Sequence, residues 1–365
     1  MSAGPTHTSL TANSTSATAE AADRSGPSRR SLLLAAALLP VAAGAAAGAA
    51  AGPAAASATA PGGRAPHASG DAQRHYDRAA RIAGDDPVLL ALIKALSPDA
   101  VFPPGQAPEP IRVFDNVAMV NTKMVSATAI TTSAGVVLLD ALSTPEEAEQ
   151  VLLPGLRAVD IDPARITHVV VTQAHYDHFG GAQYLADHYG ARVMMSPADW
   201  DFVAADAPPN APVRDLEIHD GQRLTVGDTT ITLHHTPGHT PGTVSPVFPA
   251  LWKGTRHPAM LWGGTNPPAA TEDKRIYLSS VRTFAERMRA AGVVAELNNH
   301  PGADYGVARM EQLRAGAAEN PFLIGRARAQ RFMDVMDSMI RGRIATDEES
   351  PTPAAAPAST TRSCC

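Results

Sequence analysis

The sequence predicts a domain of the α+β class, and three observations lead to this prediction. Short strands rich in β-branched residues form two groups, one before residue 172 and one between residues 214 and 264, with helical stretches between them. Long helical segments follow the second group. The chain has 365 residues, of which 44% are hydrophobic, enough for the sizeable core of a soluble globular protein.

The first elements follow from local patterns. The segment "DDPVLLALIKAL" predicts a helix, and "IRVFDNVAMV", "VSATAITTS" and "GVVLLDA" predict three successive strands in a meander. In "STPEEAEQVLLPGLRAV", either Ser143 or Thr144 caps a helix that has Pro145 in its first turn. The run "ITHVVVT" predicts a buried strand.

The second half of the sequence also predicts both helices and strands from local patterns. "GGAQYLADHYG" predicts a helix that ends at Gly190, "ARVMMS" a strand and "PADWDFVAADA" a helix. The segments "RDLEIH", "QRLTVGD", "TTITLHHT", "TVSPVFPAL" and "PAMLWGG" predict a second β-unit, with a turn at Gly227 and Asp228. "KRIYLSSVRTFAERMRAAG" predicts a long helix, and the Met, Phe and Leu stripe from about Val307 to Ile340 predicts helical core packing.

The two ends of the chain have a different composition. Arg29 and Arg30 directly precede a short apolar run, so residues 1–60 are interpreted as a twin-arginine-type signal peptide that sends the protein to the periplasm or the outside. The run is shorter than the ~20 residues of a membrane span, and we expect no stable membrane anchor after cleavage. The alternative is an Ala-rich tail with an incidental Arg pair. Residues 61–75 are expected to be a disordered linker, 76–345 the domain, and 346–365 a disordered tail.

Charge and cysteine content narrow the possible partners. The net charge is −6, and no Lys or Arg run lies outside the extreme N-terminus, so we expect a small-molecule substrate and no nucleic acid. The two cysteines, Cys364 and Cys365, are the last residues of the chain. They predict neither a disulfide in the core nor a thiolate metal ligand.

One loop concentrates potential metal ligands. In "VVVTQAHYDHFGGAQYL", Gln173 and His175 alternate along an extended segment and can face one metal ion. Asp177 and His178, past the bend, can turn toward a neighbouring ion. A single His or Asp is more often a surface, core or turn residue, but nitrogen and oxygen donors at this density predict a zinc site.

Two further loops add one histidine each after a strand: His239 in "HTPGHTPGT" and His300 in "LNNHPGAD". The three loops, in this order, resemble those of the metallo-β-lactamase fold superfamily, over about residues 111–313. The resemblance implies an αββα sandwich of two sheets flanked by helices. It also implies one or two Zn²⁺ ions per chain at one sheet edge.

The absence of a cysteine ligand makes the chain similar to the third subclass of metallo-β-lactamases, which uses His instead. This resemblance implies a first zinc held by Gln173, His175 and His239, and a second held by Asp177, His178 and His300. Gln173 departs from the usual His, as in a minority of the subclass, and should make the first site the weaker one. Asp140 resembles an Asp that braces a ligand loop in this fold. His234 and His235 are either such supports or strand surface.

The resemblance also implies the chemistry. Bound zinc brings the pKa of water to near 7, and the resulting hydroxide attacks an activated carbonyl, with Asp177 as the catalytic residue that orients it. A β-lactamase-type hydrolase, with antibiotic resistance as a consequence, is the first hypothesis. Thr265 and Asn266 stand where the subclass often carries a Ser pair for the β-lactam carboxylate. A lactone or thioester hydrolase is therefore the alternative, and a metal-impaired binding protein a further one.

Overall fold

The computed structural model describes residues 70–100 and 106–349, and two β-sheets form its centre. The first sheet has seven strands in chain order. These are β1 (Ile111–Phe114), β2 (Val117–Asn121), β3 (Ser126–Thr132), β4 (Gly135–Leu139), β5 (Ile166–Val170), β6 (Arg192–Met195) and β7 (Leu216–Glu217). Strands β1 to β4 form the predicted antiparallel meander, and β4 to β7 run parallel.

The second sheet has five strands in the order β12-β11-β10-β9-β8. They are β8 (Gln222–Val226), β9 (Thr229–His235), β10 (Val244–Trp252), β11 (Thr255–Trp262) and β12 (Ala295–Asn298). All neighbours are antiparallel except β11 and β12. The tight turn between β8 and β9 uses Gly227 at a positive φ of 57°, as the Gly-Asp pair predicts.

Helices flank both sheets. They are α1 (Gly70–Ala83), α2 (Pro87–Leu96), α3 (Pro145–Glu147), α4 (Leu153–Ala158), α5 (Tyr176–Phe179), α6 (Ala182–Tyr189), α7 (Pro197–Asp206), α8 (Thr271–Ala291), α9 (Gly306–Arg314) and α10 (Gly325–Glu349). A π-helical turn, Ala148–Leu152, joins α3 to α4, and a 3-10 turn, Pro163–Arg165, precedes β5. Thr144 is the residue that caps α3, since its hydroxyl accepts the amide hydrogen of Glu147.

Three buried apolar layers hold these elements together and establish the predicted αββα sandwich. The central layer lies between the sheets, where Ile130 and Leu139 meet Leu233 and Phe248. A second layer packs the outer face of the first sheet against helices α3 to α7. The third packs the second sheet against α1, α2, α8 and α10, with Trp262 at its centre. Burial of apolar side chains in all three layers is the main stabilising contribution.

Four boundaries differ from the sequence-based expectation. Residues 346–349, expected to begin the disordered tail, are the last residues of α10. Residues 70–75, expected to lie in a linker, form the first turns of α1, which packs along α10 through Ala72, Ala79 and Ala83. The single strand expected over residues 111–120 is two strands, because the chain turns at Asp115 and Asn116. The helical stripe expected over residues 307–340 is divided into α9 and α10 by residues 315–324.

Within the described residues, no helix is both long enough and apolar enough to cross a membrane. The signal peptide predicted for residues 1–60 and most of the predicted tail, residues 350–365, lie outside the described residues.

Candidate metal centre

The first ligand loop leaves the end of β5 and packs tightly against the segment that follows β4. Gly180 makes this contact possible: a Cβ there would lie 1.8 Å from the carbonyl oxygen of Ser143. Gly181 is equally confined, since its Cβ would lie 2.4 Å from the carbonyl oxygen of Ala141. The glycine pair therefore brings backbone against backbone and holds the loop beside the sheet edge.

Two segments, the first ligand loop and the loop after β12, place Asp177, His178 and His300 side by side at this edge. The Nε2 atoms of His178 and His300 are 3.2 Å apart, and Asp177 Oδ2 lies 3.5 Å from His178 Nε2. One ligand atom from each residue can be chosen so that all three lie within 4.8 Å of one another. All three residues are buried. They are the set predicted to hold the second zinc.

The other three predicted residues lie directly beside this group. His239 Nε2 is 3.1 Å from His175 Nδ1. The amide of Gln173 lies between the two groups, with its Oε1 2.7 Å from His175 Nδ1 and its Nε2 2.7 Å from His178 Nε2. The structure therefore brings all six predicted residues into one cluster, in which Gln173 contacts ligands of both predicted sites.

The orientation of the histidines fits a cation. His178, His239 and His300 each donate Nδ1–H to an oxygen: the Asp140 carboxylate, the Asn266 carbonyl and the Met124 carbonyl, at 2.8, 2.6 and 3.2 Å. Their Nε2 lone pairs then face the cluster, as in metal-ligating histidines. Atoms bound to a tetrahedral zinc at 2.0–2.1 Å lie about 3.3 Å from one another. The observed separations of 3.1, 3.2 and 3.5 Å fit this spacing.

The electrostatics also favour neutral imidazole ligands. Burial lowers the pKa of His175 to about 3, of His239 to about 4 and of His300 to about 3, and the neighbouring histidines add to the effect at each. These three side chains are therefore uncharged at neutral pH, which is the form that binds metals.

His178 and Asp177 form the charged part of the cluster. Burial lowers the pKa of His178, but the carboxylates of Asp177 and Asp140 outweigh it and raise the pKa to about 10. Burial likewise opposes ionisation of Asp177, yet His178 and His300 bring its pKa well below the ordinary value. The carboxylates therefore attract positive charge to this position, either a proton on His178 or a metal cation.

Asp140 supports the cluster from behind, as the sequence predicts. Its Oδ1 accepts the amide hydrogen of Thr172 at 2.7 Å, and its Oδ2 accepts from the Thr172 hydroxyl and from His178 at 2.8 Å. The Asn299 amide donates to the same Oδ2 at 3.3 Å. One buried carboxylate thus connects the first ligand loop to the loop that carries His300.

Sequence reasoning missed a second support, Asp199 in the first turn of α7. Its carboxylate accepts the Gly242 amide hydrogen and the Thr240 hydroxyl hydrogen, both at 2.7 Å. Burial raises the pKa of Asp199 to about 7, and the bonds from Thr240, Gly242 and the Ala174 backbone oppose this. Asp199 therefore fixes the His239 loop and contacts the Gln173 loop. Its position after "SP" predicted a helix start, and nothing local indicated these distant partners.

Of the two pairs of residues left open by the sequence, His234 and His235 lie away from the cluster, whereas Asn266 contacts it. His235 contacts the carbonyl oxygen of Ile218, and His234 lies beside Arg287, so neither supports a ligand loop. The hydroxyl of Thr265 is buried and donates to Asn298. Asn266 contributes through its backbone carbonyl, which accepts from His239.

Part of the chain is similar to known proteins. Residues 120–250 match the family model of the metallo-beta-lactamase superfamily. Among curated proteins, a hydroxyacylglutathione hydrolase of Pseudomonas aeruginosa is 36% identical over 86 residues. That match covers 24% of this chain and 30% of the relative.

Solved structures share the fold over a larger part of the chain. A metallo-beta-lactamase of Cronobacter sakazakii, a mutant of its HARLDQ motif, is 27% identical with a TM-score of 0.54, and the match covers 67% of this chain and 95% of that one. A subclass B3 metallo-beta-lactamase of Bradyrhizobium japonicum is 23% identical with a TM-score of 0.52, covering 64% and 94%. The second of these shows the fold alone.

Proposed function

We propose that this chain, whose residues 120–250 match the family model of the metallo-beta-lactamase superfamily, is a zinc-dependent hydrolase acting on activated carbonyl groups. The observation that carries the proposal is the convergence of four histidine side chains from three loops beside an ionised carboxylate. Three of these histidines have their Nδ1–H fixed by oxygen acceptors. Such preorganisation is typical of a metal centre and costs nothing at the moment of reaction.

The six residues of the cluster and Asp140 have separate roles in this proposal. Gln173, His175 and His239 would hold one zinc, and Asp177, His178 and His300 a second. When bound, zinc supplies a nucleophile from water at neutral pH and polarises the carbonyl. Asp177 adds a carboxylate that can orient a water molecule toward the substrate. Asp140 keeps the proton of His178 on Nδ1, so that Nε2 remains a ligand.

A β-lactam is the first substrate class that we propose. The Cronobacter sakazakii structure that supports it is a metallo-beta-lactamase and shares 27% of its residues with this chain. Thr265 supplies no contact to a β-lactam carboxylate, since its hydroxyl is bonded to Asn298. The carboxylate would therefore need another partner in this protein.

A thioester is the second class, and a specific observation favours it. The curated relatives include hydroxyacylglutathione hydrolases, one of which is 36% identical over 86 residues. Thioesters and β-lactams are both activated acyl compounds, and the same centre can serve either. A lactone would react by the same chemistry.

Turnover by the zinc-loaded protein tests the proposal. Nitrocefin, a glutathione thioester and a lactone should be compared under one set of conditions, with Asp177→Ala as the inactive control and Asp215→Asn as a control far from the cluster. Nitrocefin hydrolysis abolished by Asp177→Ala and by a chelator supports the β-lactamase proposal. Preference for the thioester by tenfold or more in kcat/KM, about 1.4 kcal/mol, would move the function to thioester hydrolysis.

A binding protein without catalysis would show no turnover in any arm of this panel. The zinc content per chain then distinguishes a hydrolase from a binding protein. The hydrolase proposal requires one or two zinc ions per chain after dialysis, whereas fewer than about 0.2 per chain would favour the binding protein.

We also propose that the protein is exported by the twin-arginine route. The Arg29 and Arg30 pair before an apolar run supports this. Replacing both by Lys should retain the precursor inside the cell, because the receptor for such signals distinguishes Arg from Lys. Unchanged secretion of the Lys-Lys variant would exclude the route.

A further inference from the structure

A cavity of about 550 Å³ lies beside His300, between helix α2 and the turn that joins β2 to β3. One side of α2 forms its first wall, with Pro87, Leu90, Ala91, Lys94 and Ala95. The opposite side of the helix, including Leu89, Leu92 and Leu96, is buried in the core. Arg328 on α10 pairs with Asp86, which caps α2. The wall is therefore fixed in place by packing and capping.

The second wall connects the cavity to the metal centre. Lys123 and Met124 come from the β2–β3 turn, and Gly302 and Tyr305 from the loop after His300. His300 itself lines the cavity, and its Nδ1 donates to the Met124 carbonyl oxygen at 3.2 Å. A group bound in the cavity would therefore lie next to the candidate ligands.

The cavity combines an apolar surface with positive charge. Leu90 and Tyr305 are 44% and 38% exposed, which is unusual for large apolar side chains. Lys94 and Lys123 also line it, and no hydrogen bond or ion pair within the described residues involves either ammonium group. None of the described lining residues is acidic. This environment is complementary to an apolar group that carries a negative charge.

A second cavity, of about 430 Å³, lies on the other side of the same turn, and it has the opposite character. Its lining includes Glu147 and Asp177 as well as Lys123 and Met124. The acidic side chains disfavour an anion there. The two cavities beside the candidate metal centre therefore differ in the charge of their linings.

We propose that the cavity along α2 binds an apolar, carboxylate-bearing arm of the substrate, with Lys94 and Lys123 pairing with the carboxylate while the reacting carbonyl lies at His300. This inference rests on the proposed function and specifies its substrate class. Anionic acyl compounds are then bound well, and neutral lactones or esters of the same size are bound poorly.

Calorimetry with 4-phenylbutyrate and its neutral amide, 4-phenylbutanamide, tests the inference on the zinc-loaded full chain. We expect the carboxylate to bind about tenfold more tightly, since only the charged compound can form the two partly exposed ion pairs. Lys94→Met with Lys123→Met should remove this advantage, and Lys253→Met, an exposed lysine on the β10–β11 turn, should not. The advantage should also decrease at high salt.

Three results would overturn the inference: equal affinity for the two compounds, no binding of either, or a carboxylate preference that survives the double variant. The last result would mean that the carboxylate binds the cation directly. Substrate kinetics give an independent measurement: in the double variant the KM of a carboxylate-bearing ester should rise about tenfold more than that of its neutral analogue.

The two proposals can fail separately. If phenylbutyrate binding depends on the lysines and nothing is hydrolysed, the cavity inference stands and the hydrolase proposal falls. If hydrolysis occurs and charge on the substrate has no effect on KM, the cavity inference falls alone.

Discussion

Asp140→Asn is the substitution that most directly probes how this centre is built. In the protein, Asp140 Oδ1 accepts from the Thr172 amide at 2.7 Å, and Oδ2 accepts from His178 Nδ1 at 2.8 Å. A backbone N–H can only donate, so the amide oxygen of the Asn variant has to face Thr172. Its NH₂ group then faces His178 Nδ1, and two donors meet.

His178 can avoid this conflict by carrying its proton on Nε2 instead of Nδ1. The NH₂ group of the Asn side chain then donates to Nδ1. The proton then occupies the Nε2 lone pair that lies 3.2 Å from His300 Nε2 and would bind the cation. We expect zinc affinity at this position to fall about 10- to 100-fold, or about 1.4–2.7 kcal/mol, the usual effect of losing a partner that orients a ligand. The fold should persist, because the size and one acceptor are retained.

Zinc titration against a competing chelator measures the affinity, and urea unfolding controls for stability. The Asp215→Asn variant removes a negative charge at a partly exposed carboxylate paired with Arg192, far from the cluster, and serves as the matched control. Nitrogen chemical shifts of His178 in the zinc-loaded proteins would show whether Nε2 is the ligand atom in each. A zinc affinity within about twofold of the natural protein would refute the reasoning, since it would show that Asp140 does not set the ligand form of His178.

Three other predictions concern the same cluster. Asp177→Ala should abolish turnover in a chain that still folds by circular dichroism, and activity within about tenfold of the natural protein would remove Asp177 from the mechanism. Gln173→His should raise zinc affinity at the first site, because imidazole is a better zinc ligand than an amide, and unchanged titration would show that Gln173 is no ligand. After chelation, the contribution of the four histidines to the free energy of unfolding should be largest near pH 6.5. It should decrease as the pH falls from about 6.5 toward the lowered pKa values of about 3 and 4, since the unfolded histidines bind protons in this range and the folded ones do not. It should also decrease as the pH rises from about 6.5 toward the raised value of about 10 at His178, where the folded state keeps a proton that the unfolded state has lost. Urea unfolding across pH, in which each of the four is replaced in turn by Gln, measures it, and flat differences would contradict the assignment.

The sequence was sufficient to predict the elements and the loops that carry the cluster, since both depend on local signals. Turn residues and β-branched runs marked the strands, and Ser143 or Thr144 before Pro145 marked the start of α3. The division of residues 111–120 into two strands depends instead on a distant contact. The Asn116 side chain bonds to the backbone of Pro249 and Leu251 on β10, which local periodicity does not reveal.

The early start of α1 has a similar explanation. The polar, alanine-containing segment around residue 72 has little local reason to form a helix, and its small residues are buried only because α10 lies alongside. Asp199 illustrates the same limit within the site, because its partners in the His239 loop are about forty positions away in the chain. Local patterns thus identified the candidate ligands, whereas the contacts that orient them required the structure.

The position of Gln173 determines how the two halves of the cluster differ. The first group offers two neutral imidazoles and an amide, whereas the second offers two imidazoles and the Asp177 carboxylate, which is ionised. A divalent cation is attracted more strongly to the group that carries negative charge, particularly in a buried environment of low dielectric constant. The Gln173 amide also lies 2.7 Å from nitrogen atoms of both His175 and His178, so any movement that adapts it to one group changes its contact with the other. The second group is therefore the stronger candidate for the first ion bound, and Gln173 links its geometry to that of its neighbour.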